Sequence, residues 1–162
     1  MGTVSTPATP MMNDDASSTL IALFHQVHRQ LRDELDGLDD DALNWVPMPG
    51  ANSIATIIRH VVGSEAETLR SIAGIAAERD RGAEFVASPL TRQEVLLLLD
   101  SADHLIVELE PRINISRLEA EFPLPTMSAS DVRTGLSWLT GNYGHTREHL
   151  GQIQLTKQLH QR

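Results

Sequence analysis

Seven histidines and the carboxylates are the side chains of this 162-residue chain best suited to holding a metal ion, because it contains no cysteine. That absence excludes disulfides, thiolate zinc sites, iron–sulfur clusters and a nucleophilic cysteine together. Two of the histidines stand four apart in His145-Thr146-Arg147-Glu148-His149. On a helix turning about 100° per residue they lie roughly 40° apart and one turn along, so both imidazoles can reach one ion. In a histidine-rich chain that spacing also arises by chance, so the surroundings must carry the argument. Trp138, Asn142, His145, His149 and Gln152 form a stripe at 4-3-4-3 spacing. A solvated helix face would carry Lys, Glu and Arg; this one carries an aromatic, two amides and two imidazoles, which suits the wall of a polar pocket. The plain alternative is a helix flank half covered by a partner subunit.

The same string matches H-x-x-E-H, the inverted zincin signature, in which Glu148 would be the general base. That mechanism needs a third ligand downstream, and the residues after His149 include no Asp or Glu. His160 is eleven residues on, roughly 16 Å along a helix. The protease reading therefore fails, and Glu148 is left as an exposed helix charge or an outer partner of the site. The best upstream ligand is His60, which sits about 120° off the aliphatic stripe of its own helix, the same offset and sense as the His145/His149 stripe. Structural roles are the usual lot of such a lone flank histidine. His25 and His28 have i, i+3 spacing but read as a solvated pair, and His104 reads as a surface residue.

These residues need elements to hold them, and the periodicity supplies four helices. The first places Leu20, Phe24, Val27, Leu31, Leu35 and Leu38 on one stripe, with Ser17 or Ser18 as its cap and Gly37 at its end. The second, capped by Asn52 or Ser53, carries Ile54, Ile57, Ile58, Val61, Val62, Leu69 and Ile72. Arg79-Asp80-Arg81-Gly82 reads as its solvated end. Thr91-Arg92-Gln93-Glu94 fits a reciprocal capping box and opens the third, which Pro111 stops. Residues 111–130 read as a crossing loop with a short extended piece. Ser130-Asp131 would cap the last helix, whose core stripe is Val132, Leu136, Leu139, Tyr143, Leu150 and Ile153 and which runs to about Leu159. The expected fold is all-α, a four-helix bundle over 18–162 with a longer crossing loop before the last helix and a flexible segment at 1–17.

Composition limits the partners. Thirteen Lys and Arg against 22 Asp and Glu give a net charge of −9. With no clustered basic stripe, nucleic-acid binding is not expected. The longest aliphatic run, Val95–Leu99, is far short of a membrane span, and the first residues lack a basic start and an apolar core. A cytoplasmic protein without membrane association is the expectation.

The segment Leu43-Asn44-Trp45-Val46-Pro47-Met48-Pro49-Gly50-Ala51-Asn52-Ser53-Ile54, followed by His60 and Glu65, resembles the DinB family, as does the closing His145-x3-His149-x2-Gln152. The likeness spans nearly the whole chain from about residue 18. This superfamily of four-helix bundles also holds the YfiT-like proteins and thiol-dependent transferases and isomerases. The resemblance implies a divalent metal, zinc or nickel, held by His60, His145 and His149, and a homodimer. Three imidazoles leave one coordination position for water or substrate. A thiol bound there would be a thiolate, and this chain would have to receive it from a low-molecular-weight thiol such as mycothiol or bacillithiol, as the resembled transferases do. Trp138, Asn142 and Gln152 would line the approach, with Glu65 and Glu148 as outer partners. No residue stands out as a general base. The expected activity is thiol transfer to, or isomerisation of, a small-molecule substrate. The alternatives are hydrolysis by a metal-activated water and a non-catalytic metal- or ligand-binding stress-response module.

Overall fold

Capping chemistry sets the helix boundaries in the computed structural model, which describes residues 14–86 and 88–162. Ser53 accepts from the Thr56 amide and opens α3 (Ile54–Ala73), after α1 (Asp14–Leu35) and a short α2 (Asp40–Asn44). Gly74, at φ 74°, closes α3 in the left-handed conformation that a glycine adopts without strain. The chain then makes a short α4 (Arg81–Val86). Thr91 and Glu94 form the reciprocal capping box of α5 (Arg92–Leu109), and a 3₁₀ turn containing Pro111 ends it. The last helix, α7 (Gly135–His160), is capped by Thr134.

Four of these helices make the bundle. α1 and α3 each pack against both α5 and α7, so α1 sits diagonally opposite α3, and α5 opposite α7. Two apolar clusters fill it. One gathers Val27, Leu31, Leu35, Ile58, Val61, Val95, Leu99, Leu150 and Ile153. The other gathers Ile21, Phe24, Leu69, Ile72, Ile106, Leu109 and Leu139, and Tyr143 packs against both. Between these stretches lie buried polar residues, His28 on α1, Glu65 on α3 and Thr146 on α7.

Several boundaries differ from the sequence expectation for local reasons. Residues 1–13 of the expected flexible segment lie outside the described residues, and Ser17 and Ser18 fall inside α1 rather than capping it. α3 stops at the glycine signal of Gly74, so Arg79–Gly82 belongs to a separate segment that folds back on α3 through α4. Ser130 and Asp131 do not cap α7; the helix starts four residues later and Val132 is exposed. The crossing segment is also better ordered than a loop. It holds α6 (Ile115–Glu119) and β1 (Glu121–Phe122), which pairs antiparallel with β2 (Arg133–Thr134), Phe122 opposite Arg133. Gly135 lies so close to α6 that an added Cβ would meet the carbonyl oxygen of Arg117.

Candidate metal centre

His60 on α3 and His145 and His149 on α7 meet at one point. One ligand nitrogen from each lies within 4.8 Å of the others. His145 Nε2 is 3.1 Å from His60 Nε2 and 3.0 Å from His149 Nε2. Two imidazole nitrogens on a tetrahedral zinc ion, each about 2.05 Å from it, stand roughly 3.3 Å apart, so the spacing is close to that of a ligand set. The rings stand at 74–90° to one another, edges converging. Helical spacing brings the α7 pair together, and the α3·α7 contact supplies the third ring.

The far side of each ring decides what the near side offers. His60 Nδ1 donates to Glu84 Oε2 at 2.8 Å, and His149 Nδ1 donates to Gln152 Oε1 at 2.8 Å. A carboxylate can only accept, so this contact, shorter than the 3.2 Å to Arg79 Nη2, places the proton on His60 Nδ1. Both Nε2 atoms are then lone pairs facing the common point. A proton on His145 Nε2 could serve one of them but not both, whereas a divalent ion takes all three lone pairs. His145 Nδ1 is buried without a recorded partner. Burial, the neighbouring imidazoles and the charges of Arg79 and Arg81 push the His145 pKa down to about 4, and burial above all lowers that of His60. Both rings are neutral at pH 7, the form that binds metal. An all-imidazole donor set suits zinc, nickel, copper or iron better than calcium or magnesium.

Glu84 is itself fixed. Arg79, its side chain only 6% exposed, donates from Nε to Glu84 Oε1 at 2.7 Å, from Nη2 to Glu84 Oε2 at 2.9 Å and from Nη1 to Glu67 Oε2 at 2.9 Å. Glu67 also accepts from the amide and hydroxyl of Thr126 at 2.8 Å each. The chain Thr126–Glu67–Arg79–Glu84–His60 thus runs from the crossing segment to the triad. Arg79 was expected among solvated surface charges; the structure corrects this, because α4 carries the segment back over α3. The signal in the sequence was on α3, where Ser64 and Glu67 continue the His60 face at 4-3 spacing.

The remaining expected residues divide. Trp138 and Asn142 line a cleft of about 270 Å³ beside His60 and His145. The Trp138 indole donates to the Phe122 carbonyl at 2.8 Å, and Asn142 Nδ2 donates to Ser64 Oγ at 3.0 Å. Gln152 is not on the cleft; it is the partner of His149. Glu148 is exposed, with no recorded contact to the triad. Glu65, expected as an outer partner of the site, faces the bundle interior and takes a 2.9 Å hydrogen bond from His28 Nε2. His28 is accordingly fully buried rather than solvated, and its Nδ1 donates to Asp103 Oδ1 at 2.8 Å. His25 shares that Asp103 oxygen while partly exposed, and His104 is exposed.

Comparison with known proteins agrees with this architecture. A conserved protein from Enterococcus faecalis superposes with a TM-score of 0.71 at 12% identity, over 89% of this chain and 96% of that one. YfiT from Bacillus subtilis, described as a probable metal-dependent hydrolase with an unusual four-helix bundle topology, superposes with a TM-score of 0.69 at 14% identity, over 95% of this chain and 93% of its own. No curated protein matches the sequence significantly. No helix among the described residues is long and apolar enough to cross a membrane. The model of the DinB superfamily matches residues 23–153, and the chain, a helical bundle carrying a three-histidine cluster that could hold a metal ion, belongs to that superfamily.

Proposed function

We propose that the chain is a metal-dependent enzyme in which His60, His145 and His149 hold one zinc or nickel ion, and that it transfers a low-molecular-weight thiol to a small electrophile. The observation that carries the metal reading is the pairing of Glu84 with His60 and Gln152 with His149, which turns two Nε2 lone pairs to the common point. Such an ion supplies Lewis acidity, enough to hold a thiol as thiolate or to acidify a water near neutrality. The thiol rests on the resemblance to thiol-dependent transferases. Glu67 and Glu84 are committed to Arg79, and Glu65 is committed to His28. Among the described residues lining the cleft no carboxylate is free to act as a general base, so a thiol or a water would have to be ionised by the ion itself, its proton passing to solvent. The fold-level likeness to YfiT supports hydrolysis as the second reading.

The test uses protein loaded with zinc or nickel and a panel of electrophiles and esters, with and without a small thiol. Thiol transfer predicts turnover that rises with added thiol, stops on chelation, returns with metal and is absent from His145→Ala. Ester turnover indifferent to thiol would replace transfer by hydrolysis. Stoichiometric metal with no turnover on either class would leave a metal-binding protein without catalysis.

A further inference from the structure

Arginines gather at the cleft beside the triad, in a molecule whose net charge is negative. The chain carries −9, and its overall field repels anions. Yet three of its twelve arginines, Arg79, Arg81 and Arg133, border this one cleft. They are not equivalent. Arg79 is neutralised in place between Glu67 and Glu84. Arg81 is exposed and has no recorded carboxylate or hydrogen-bond partner among the described residues, although its charge acts on His145. Arg133 is steadied from two sides. Asp131 takes its Nε and Nη2 at 2.8 Å each, and its guanidinium lies 4.5 Å over the Trp138 ring. That arrangement leaves Nη1 without a recorded partner and fixes the plane of the fork, which lowers the entropy lost when the fork binds a second anion. The rest of the lining sets apolar Leu124, Trp138 and Met127 beside polar Ser64, Thr126 and Asn142, with Leu124 and Trp138 each only 5% exposed and Met127 half open.

We propose that this cleft seats a small organic anion, a carboxylate on an apolar body, with Arg81 and Arg133 taking the carboxylate and Trp138, Leu124 and Met127 the body. The assignment rests on the proposed function only for the place of the reacting end, which the triad would hold; anion seating needs no metal. The carboxylate is assigned to the acceptor, with a carboxylate carried by the thiol as an outcome that would overturn it.

Binding to metal-free protein tests this directly. Phenylacetate and its neutral isostere phenylacetamide are titrated in while the indole NH signals are followed by NMR. The carboxylate should bind at least about tenfold tighter than the amide and shift the Trp138 signal. Arg81→Gln should remove most of the preference and Arg133→Gln the rest. Arg112→Gln, which changes net charge equally but lies off the cleft, should leave it intact. A parallel arm compares 3-mercaptopropionate with 2-mercaptoethanol on zinc-loaded protein. Equal affinity of the first pair, no binding of either, a preference undiminished in Arg81→Gln, or a carboxylate preference confined to the thiol pair overturns the assignment. Metal content, measured separately, shows whether the triad reading has failed on its own account.

Discussion

Glu84 does for His60 what Gln152 does for His149: an oxygen on the far nitrogen of the ring fixes which nitrogen faces the common point of the three rings. His145 and His149 were legible as a candidate ligand pair, because two imidazoles at i, i+4 are a local fact. Glu84 was not, because its link to His60 spans 24 residues and depends on how α4 folds back. Gly63 makes that link sensitive in an unexpected place, since a Cβ there would meet Glu84 Oε1. Glu84→Ala and Gly63→Ala should therefore both weaken zinc binding, by about 10–100-fold in competition with a chelator, although neither residue would coordinate the ion. Retention of wild-type affinity in both would show that His60 is oriented by packing, with Phe85 at 4.9 Å the obvious neighbour, and that the carboxylate is idle.

The elements carry a second polar feature, the layer that separates the two apolar stretches of the bundle. His28 donates to Glu65 and to Asp103, and Arg32 pairs with Asp103 at 2.7 Å, so the layer ties α1 to α3 and α5. Reading His28 as solvated and Glu65 as an outer partner of the site missed this layer, although the sequence held a signal for it. Glu65 stands on the α3 stripe between Val61 and Leu69, and His28 on the α1 stripe between Phe24 and Leu31, so each interrupts an apolar face at a core position. What the spacing could not show is that the two interruptions face each other, because register between helices is set by tertiary packing. Burial alone would lower the His28 pKa, but Glu65 and Asp103 outweigh it and raise it above 6.5; burial would raise that of Asp103, but His28 and His25 outweigh it and lower it below 3.8. The sign follows from linkage. A raised histidine stabilises the fold fully below about pH 6.5 and loses that contribution as pH rises through its folded value, while Asp103 loses its own only as pH falls below about 3.8. The urea midpoint should thus decline as pH is raised from 6.5 to 9. Asp103→Asn should start about 1–3 kcal/mol less stable and decline less. Parallel profiles for the two proteins would mean that His28 is not held as an imidazolium.

At the scale of the whole molecule, the bundle could be anticipated because four amphipathic stripes with short connections leave few other ways to bury them. The α6 and β1–β2 structure of the crossing segment was less legible, since two-residue strands carry no periodicity of their own. That segment nevertheless belongs to the site, because Thr126 anchors Glu67 and the Phe122 carbonyl anchors Trp138. The metal centre joins α3 to α7, so an ion bound there should stabilise the folded chain, the state in which the three rings meet. Zinc at about 100 times its dissociation constant would add about 2.7 kcal/mol, which for a domain of this size raises the melting temperature by about 5–10 °C. Elemental analysis should find one ion per chain in the wild type. His60→Ala and His145→Ala should keep their helicity by circular dichroism, lose the stoichiometric ion and show no zinc-dependent rise. The two variants probe opposite sides of the α3–α7 contact, so a shift that persists in either would place the stabilising ion elsewhere, and the three-histidine centre would no longer account for metal binding by this fold.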